Sequence, residues 1–156
     1  MPTYDVLDWV DVLHVQKRTL NFSEELGFPR RERGELAIVA SELASNILKY
    51  GVRGTLEMDR FVDARGAGIT MIASDRGPQF HDLEAALKDG WSDRGPIDPL
   101  DMLKRKGIGG GLGAICRLTH SFRVEPLPRG KRVHVVRYLL KARSTRPPRR
   151  RSRRPR

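Results

Sequence analysis

Between Glu35 and Tyr50 the chain reads ELAIVASELASNILKY, and few folds accommodate such a segment. Leu36, Val39, Leu43 and Ile47, widened by Ala37, Ala40, Ala44 and Leu48, recur at three- and four-residue steps. That is the period of an amphipathic helix laid on a core, and Gly51 is a natural stop. Two polar residues interrupt the small, apolar middle. Glu42 and Asn46 are one helical turn apart, so a carboxylate and a carboxamide share a face. On its own the pair also reads as an exposed edge with one side-chain hydrogen bond.

A chain of 156 residues suits one domain with a single core. No apolar run reaches membrane-spanning length, and the N-terminus MPTYDVLDWVDVL has acids but no basic segment ahead of an apolar block, unlike a secretory signal. The expected compartment is cytoplasmic, with no membrane contact. Cys116 is the lone cysteine, which excludes an intrachain disulfide and reads as a small buried hydrophobe. His14, His81, His120 and His134 lie far apart without ligand spacing, so a metal cage built of side chains is not expected.

The net charge of +11 is concentrated at one end. Residues 141–156, KARSTRPPRRRSRRPR, hold nine Lys or Arg and no acid, leaving about +2 for the rest. Three prolines, self-repulsion and no apolar periodicity predict a disordered basic tail after a folded domain at 1–140. Such a tail suits an acidic partner or nucleic acid through charge alone; without interleaved aromatics, little base reading is expected. It reads equally as a solvated, dispensable tail.

The body divides as follows. Tyr4 to Val12 predicts a short strand leading into a helix across Leu13 to Leu26, closed by Gly27. Pro29 opens the turn RRERGE, which feeds the central helix. Thr55 to Val62 and Ala67 to Ser74 predict a hairpin around Asp63 to Gly66. The second strand runs into DRGPQF, with Asp75 at its mouth and Gly77-Pro78 turning the chain. Then come a short helical piece at Asp82 to Lys88 and a polar flap. Gly107, Gly109, Gly110, Gly111 and Gly113 follow, opening an apolar helix Leu112 to Leu118. Glycines leading into a helix start can cradle a phosphate, but neither GxxxxGK[ST] nor GxGxxG is satisfied. Phe122 to Glu125 and Val133 to Leu140 predict two last strands around Pro126 to Gly130. The order implies a two-layer α+β sandwich, its sheet mixed but mostly antiparallel with helices on one face.

In order and spacing, the Glu-x-x-x-Asn helix, the DxGP turn, the flap and the glycine-rich helix start resemble the N, G1 and G2 boxes of the GHKL (Bergerat-fold) ATP-binding superfamily. SELASNILKYG, IASDRGP, KDGWS and GGGLGAICRL look most like the small anti-sigma serine kinases of the RsbW/RsbT type, over roughly Asp5 to Leu140. The resemblance implies ATP and Mg²⁺ as cofactors. By it, Asn46 is the metal ligand, Glu42 the catalytic base for the attacking hydroxyl, and Asp75 the acceptor for the adenine amino group. Gly77 is then the turn that lets the base approach, and Gly107, Gly109, Gly111 and Gly113 the lid hinge and phosphate nest. Arg105 reaches the terminal phosphate, with Lys104 and Lys106 as neighbouring candidates.

Three departures stand out. Gln79 occupies the fifth position of DxGxG, where glycine tolerates a positive φ that Gln resists. The Gly-Thr of the last hairpin, whose hydroxyl supports the aspartate, is matched to Lys131-Arg132. The flap is longer than in RsbT-like members. The function implied is an ATP- and Mg²⁺-dependent serine/threonine kinase of a bacterial partner-switching pathway acting on a STAS-domain regulator. The partners implied extend to a metal-dependent serine phosphatase or a sigma factor, and relatives of this kind often form homodimers. A binding module that has lost phosphoryl transfer, favoured by Gln79 and Arg132, and a nucleic-acid-associated protein resting on the tail are the other classes.

Overall fold

The computed structural model describes residues 2–80, 83, 91–92, 95–96 and 111–140. The helical piece at Asp82 to Lys88, most of the flap, Arg105, Gly107, Gly109 and the basic tail lie outside the described residues. Strands β1 (Thr3–Val6), β2 (Gly54–Asp63), β3 (Gly66–Asp75), β6 (Ser121–Pro126) and β7 (Lys131–Tyr138) form one sheet in the order β1-β2-β3-β7-β6. Each neighbouring pair is antiparallel. Two-residue strands β4 (Trp91–Ser92) and β5 (Gly95–Pro96) pair separately. Helices α1 (Trp9–Glu25), α2 (Arg30–Tyr50) and α3 (Leu112–Leu118) complete the described elements. This is the α+β sandwich that the element order implies.

Alternation decides which sheet face the helices cover. Leu56 and Met58 of β2, Ile69, Met71 and Ala73 of β3, and Val133 and Val135 of β7 are buried, with half-buried residues between them. A strand turns successive side chains to opposite faces. Against this apolar face lie Leu36, Val39, Ala40, Leu43, Ala44 and Ile47 of α2 and Val12 and Val15 of α1, in one continuous core. None of the described helices is long and apolar enough to cross a membrane.

Two helix starts differ from the sequence expectation. α1 begins at Trp9 rather than Leu13, because Asp8 accepts from the Val10 and Asp11 N–H groups while Asp11 accepts from Asp8 N–H. This capping box satisfies N–H groups that a helix start leaves open. α2 begins at Arg30, directly after Pro29, so the charged RRERGE stretch is helix and not a turn. Its charges are spent on ion pairs: Arg33 with Glu24, Arg31 with Glu35, and Glu35 with Arg137 of β7. Cys116 is exposed and not buried. α3 turns Leu112 and Ile115 to the core, and the next residue points about 100° away.

At the β2–β3 tip, Tyr138 Oη donates to Asp63 Oδ2 at 2.7 Å and the Arg65 N–H donates to Oδ1 at 2.8 Å. Both hold the Asp63 carboxyl below its ordinary value of 3.8, the tyrosine bond most strongly. A depressed carboxyl contributes stability that is full above the unfolded value and fades as pH falls through the folded one. Tyr138→Phe keeps the ring against Phe61 and removes the bond. It is expected to lower the melting temperature at pH 7 and to converge with the native chain once pH has fallen through the lowered value of the carboxyl; an equal gap above and below that value would contradict this.

Candidate functional site

α2 carries the candidate residues in order along its length. Glu42 is 2% exposed, although it sits among apolar neighbours. One turn on, Asn46 Nδ2 is shielded from solvent and has no hydrogen-bond partner among the described residues. Burying such a group unpaired costs about 1–3 kcal/mol, so the position fits a ligand better than it fits a packing role. Which amide atom points outward is a matter of assignment, and the carboxamide offers an oxygen if turned over.

Past the helix end, α2 and the turn after β3 pack closely, with the Asp75 side chain seated against Gly51 and Gly77. A Cβ on Gly51 would stand 2.8 Å from Asp75 Cγ, and one on Gly77 would stand 2.7 Å from Gly51 Cα and 2.8 Å from the Tyr50 carbonyl. Neither position tolerates another residue without a shift. The contact seats Asp75 against the C-terminal end of α2, so Glu42, Asn46 and Asp75 follow one another over a length of about 13 Å, from the helical rise. Arg76 N–H donates to Val52 O and ties the same turn to the α2–β2 loop. In that loop Arg53 is the described non-glycine residue with positive φ, 43°.

Asp75 itself is buried, 7% exposed. Its Oδ1 accepts from Gly77 N–H at 2.7 Å and from the Lys131 ammonium at 3.2 Å. Lys131 Nζ also donates to Pro78 O at 2.8 Å and lies 4.9 Å from the Phe80 ring centroid. Gln79 Nε2 donates to Gly130 O. The turn after β3 is thus latched to the β6–β7 hairpin from both sides.

These contacts bear on two expectations. Gln79 does not take a positive φ; it keeps ordinary backbone and spends its side chain on the hairpin, so the turn differs from DxGxG. Of the Lys131-Arg132 pair, Lys131 is the residue that meets Asp75. Gly130 has φ 95°, and Lys131 stands opposite Asp75 in the β3–β7 register on the helix-covered face. Arg132 points to the other face, with its Nε 3.3 Å from Ser74 Oγ and its guanidinium 3.8 Å from Glu125.

Gly111 and Gly113 lie at the start of α3, where Gly111 is the N-cap with φ 77°. Arg105, Gly107 and Gly109 fall outside the described residues. A cleft of about 640 Å³ adjoins the region, lined by Asp5, Arg53, Thr55, Ser74, Arg76 and Arg129 among others. Of the candidate residues it touches Asp75 alone, and Thr55 and Ser74 place it toward the sheet's helix-free face.

No family model matches the chain. A curated relative, the serine/threonine-protein kinase RsbT of Bacillus subtilis (strain 168), is 27% identical over 133 residues, which cover 85% of this chain and 91% of that protein. The chain is thus similar to RsbT over most of the length of both proteins.

An RsbT-like sandwich makes sense of features that local packing leaves unexplained. The Asn46 carboxamide, whose Nδ2 has no partner among the described residues, and the buried Glu42 one turn away are a donor set that fits Mg²⁺ once the amide is turned over. Asp75 fits less simply, because an internal cation already engages it. Sequence reasoning missed Lys131 and Gly51 as site residues. The signal for Gly51 was hidden under its reading as a helix stop.

Proposed function

We propose that this RsbT-like chain is an ATP- and Mg²⁺-dependent serine/threonine protein kinase of a partner-switching pathway, phosphorylating a STAS-domain regulator. The observation that carries the proposal is Asn46 Nδ2, shielded and without a partner among the described residues, one turn from the buried Glu42. Mg²⁺, when bound, neutralises phosphate charge and orients the γ-phosphoryl group for in-line transfer. Asn46 supplies an oxygen to that ion. Glu42 accepts the proton of the acceptor hydroxyl and holds it in line, its position fixed by the core beneath α2. Asp75 receives the base, with Gly77 and Gly51 giving the backbone clearance. Gly111 and Gly113, with Gly107, Gly109 and Arg105, are proposed to receive the phosphates. Most of the rate enhancement then comes from positioning and charge neutralisation, as phosphoryl transfer requires.

The kinase relative covers almost its whole length with this chain, which supports the same class of partners. These are a STAS-domain protein as acceptor and a metal-dependent phosphatase or sigma factor as the exchanged partner. The basic tail is proposed as a separate contact for an acidic surface.

Calorimetric titration of ATP with Mg²⁺ tests the proposal on the full chain and on Asn46→Ala. Binding to the native chain that weakens about tenfold or more in Asn46→Ala, the scale of one lost metal ligand or its support, is the expected result. Undetectable binding to the native chain would leave a partner-exchanging module without kinase activity.

A further inference from the structure

Lys131 is 3% exposed, and its ammonium donates to Asp75 Oδ1 and Pro78 O and lies 4.9 Å from the Phe80 ring centroid. The ammonium is therefore engaged inside the protein without a ligand. It is also the partner that balances the buried Asp75 carboxylate. A threonine here would leave that charge facing the pocket, to be satisfied by whatever bound there.

This bears on selectivity. A site whose buried acceptor depends on the ligand for its hydrogen bond rejects analogues lacking the donor, because binding them strands a desolvated polar group. Lys131 compensates the Asp75 carboxylate through Oδ1 without any ligand. Resting on the assignment of Asp75 to the base under the proposed function, we propose that Lys131 is the specificity-determining residue of the base site. It relaxes the demand for a 6-amino group, so that purine nucleoside triphosphates with a 6-oxo group are taken alongside ATP.

The test compares ATP with inosine triphosphate, which carries oxygen in place of the 6-amino group, by calorimetry with Mg²⁺. The proteins are the full chain, Lys131→Thr and Lys131→Met. Threonine removes the ammonium and opens the pocket; methionine keeps an apolar stem against Phe80, so one variant remains informative if the other fails to fold, as judged by its melting transition. The native chain is expected to bind the two nucleotides within about threefold of each other, and the folded variants to prefer ATP by about tenfold or more. ATP binding that appears only in the variants overturns the proposal, because the native chain then does not take ATP. A preference that is the same in the native chain and in every folded variant overturns it, whatever its size, while leaving ATP binding and its dependence on Asn46 intact. Binding of neither nucleotide to any form overturns it together with the nucleotide assignment.

Discussion

Glu42→Gln in the full chain is expected to slow phosphoryl transfer to a STAS-domain acceptor by about 10²–10⁴-fold, the range that a positioned base supplies. In barrier terms this is about 3–5 kcal/mol. Gln preserves the volume of a side chain that is 2% exposed and introduces no unpaired charge, so the loss would not be one of folding. Under the proposed function Glu42 acts on the acceptor hydroxyl and not on the nucleotide. The dissociation constant for ATP should therefore stay within about threefold of the native value while the single-turnover rate falls, the signature of an interaction made in the transition state. A single-turnover rate within about threefold of native would remove Glu42 from the chemistry.

Gly130→Ala is expected to destabilise the fold by about 3–4 kcal/mol, combining left-handed backbone strain with overpacking. The φ of 95° already disfavours any L side chain. Worse, a Cβ there would lie 1.8 Å from the Asp75 carbonyl oxygen and 2.7 Å from Arg76 Cα. Both obstacles are backbone, held by the β3–β7 register that pairs Asp75 with Lys131, so no rotamer change relieves the clash. For a chain of this size the loss corresponds to a fall of about 10 °C in melting temperature. Gly66→Ala is the control, since Gly66 also has positive φ, 126°, but open space around it. It should lose only the conformational part, about 1–2 kcal/mol. Equal losses in the two variants, measured by denaturant unfolding, would show that the close approach at Gly130 does not hold in solution.

Much of this protein is legible along the chain because its information is local. The 3.6-residue period over Leu36 to Ile47 needs only α2 itself, and the β2–β3 hairpin follows from two β-rich runs around one short turn. α3 was placed at its observed bounds because glycines precede it and an apolar stripe defines it. Where charge dominated, the pattern misled. RRERGE has turn-like composition, yet it is helix, with Arg33 paired to Glu24 of α1 and Glu35 to Arg137 of β7, a partner far away in sequence.

The base end of the site shows the division most sharply. Sequence alone determined that Asp75 ends a strand, that Gly77 follows in a turn and that Lys131 and Arg132 stand in the last hairpin. It did not determine which of the two basic residues meets Asp75. Side chains alternate along a strand, so a shift of one residue sends the cation to the opposite face. That register is set by how the Pro126–Gly130 turn closes and by Gly130 passing against the Asp75 backbone. Only the tertiary structure decided that the buried partner is Lys131, with Arg132 left on the open face beside Ser74 and Glu125.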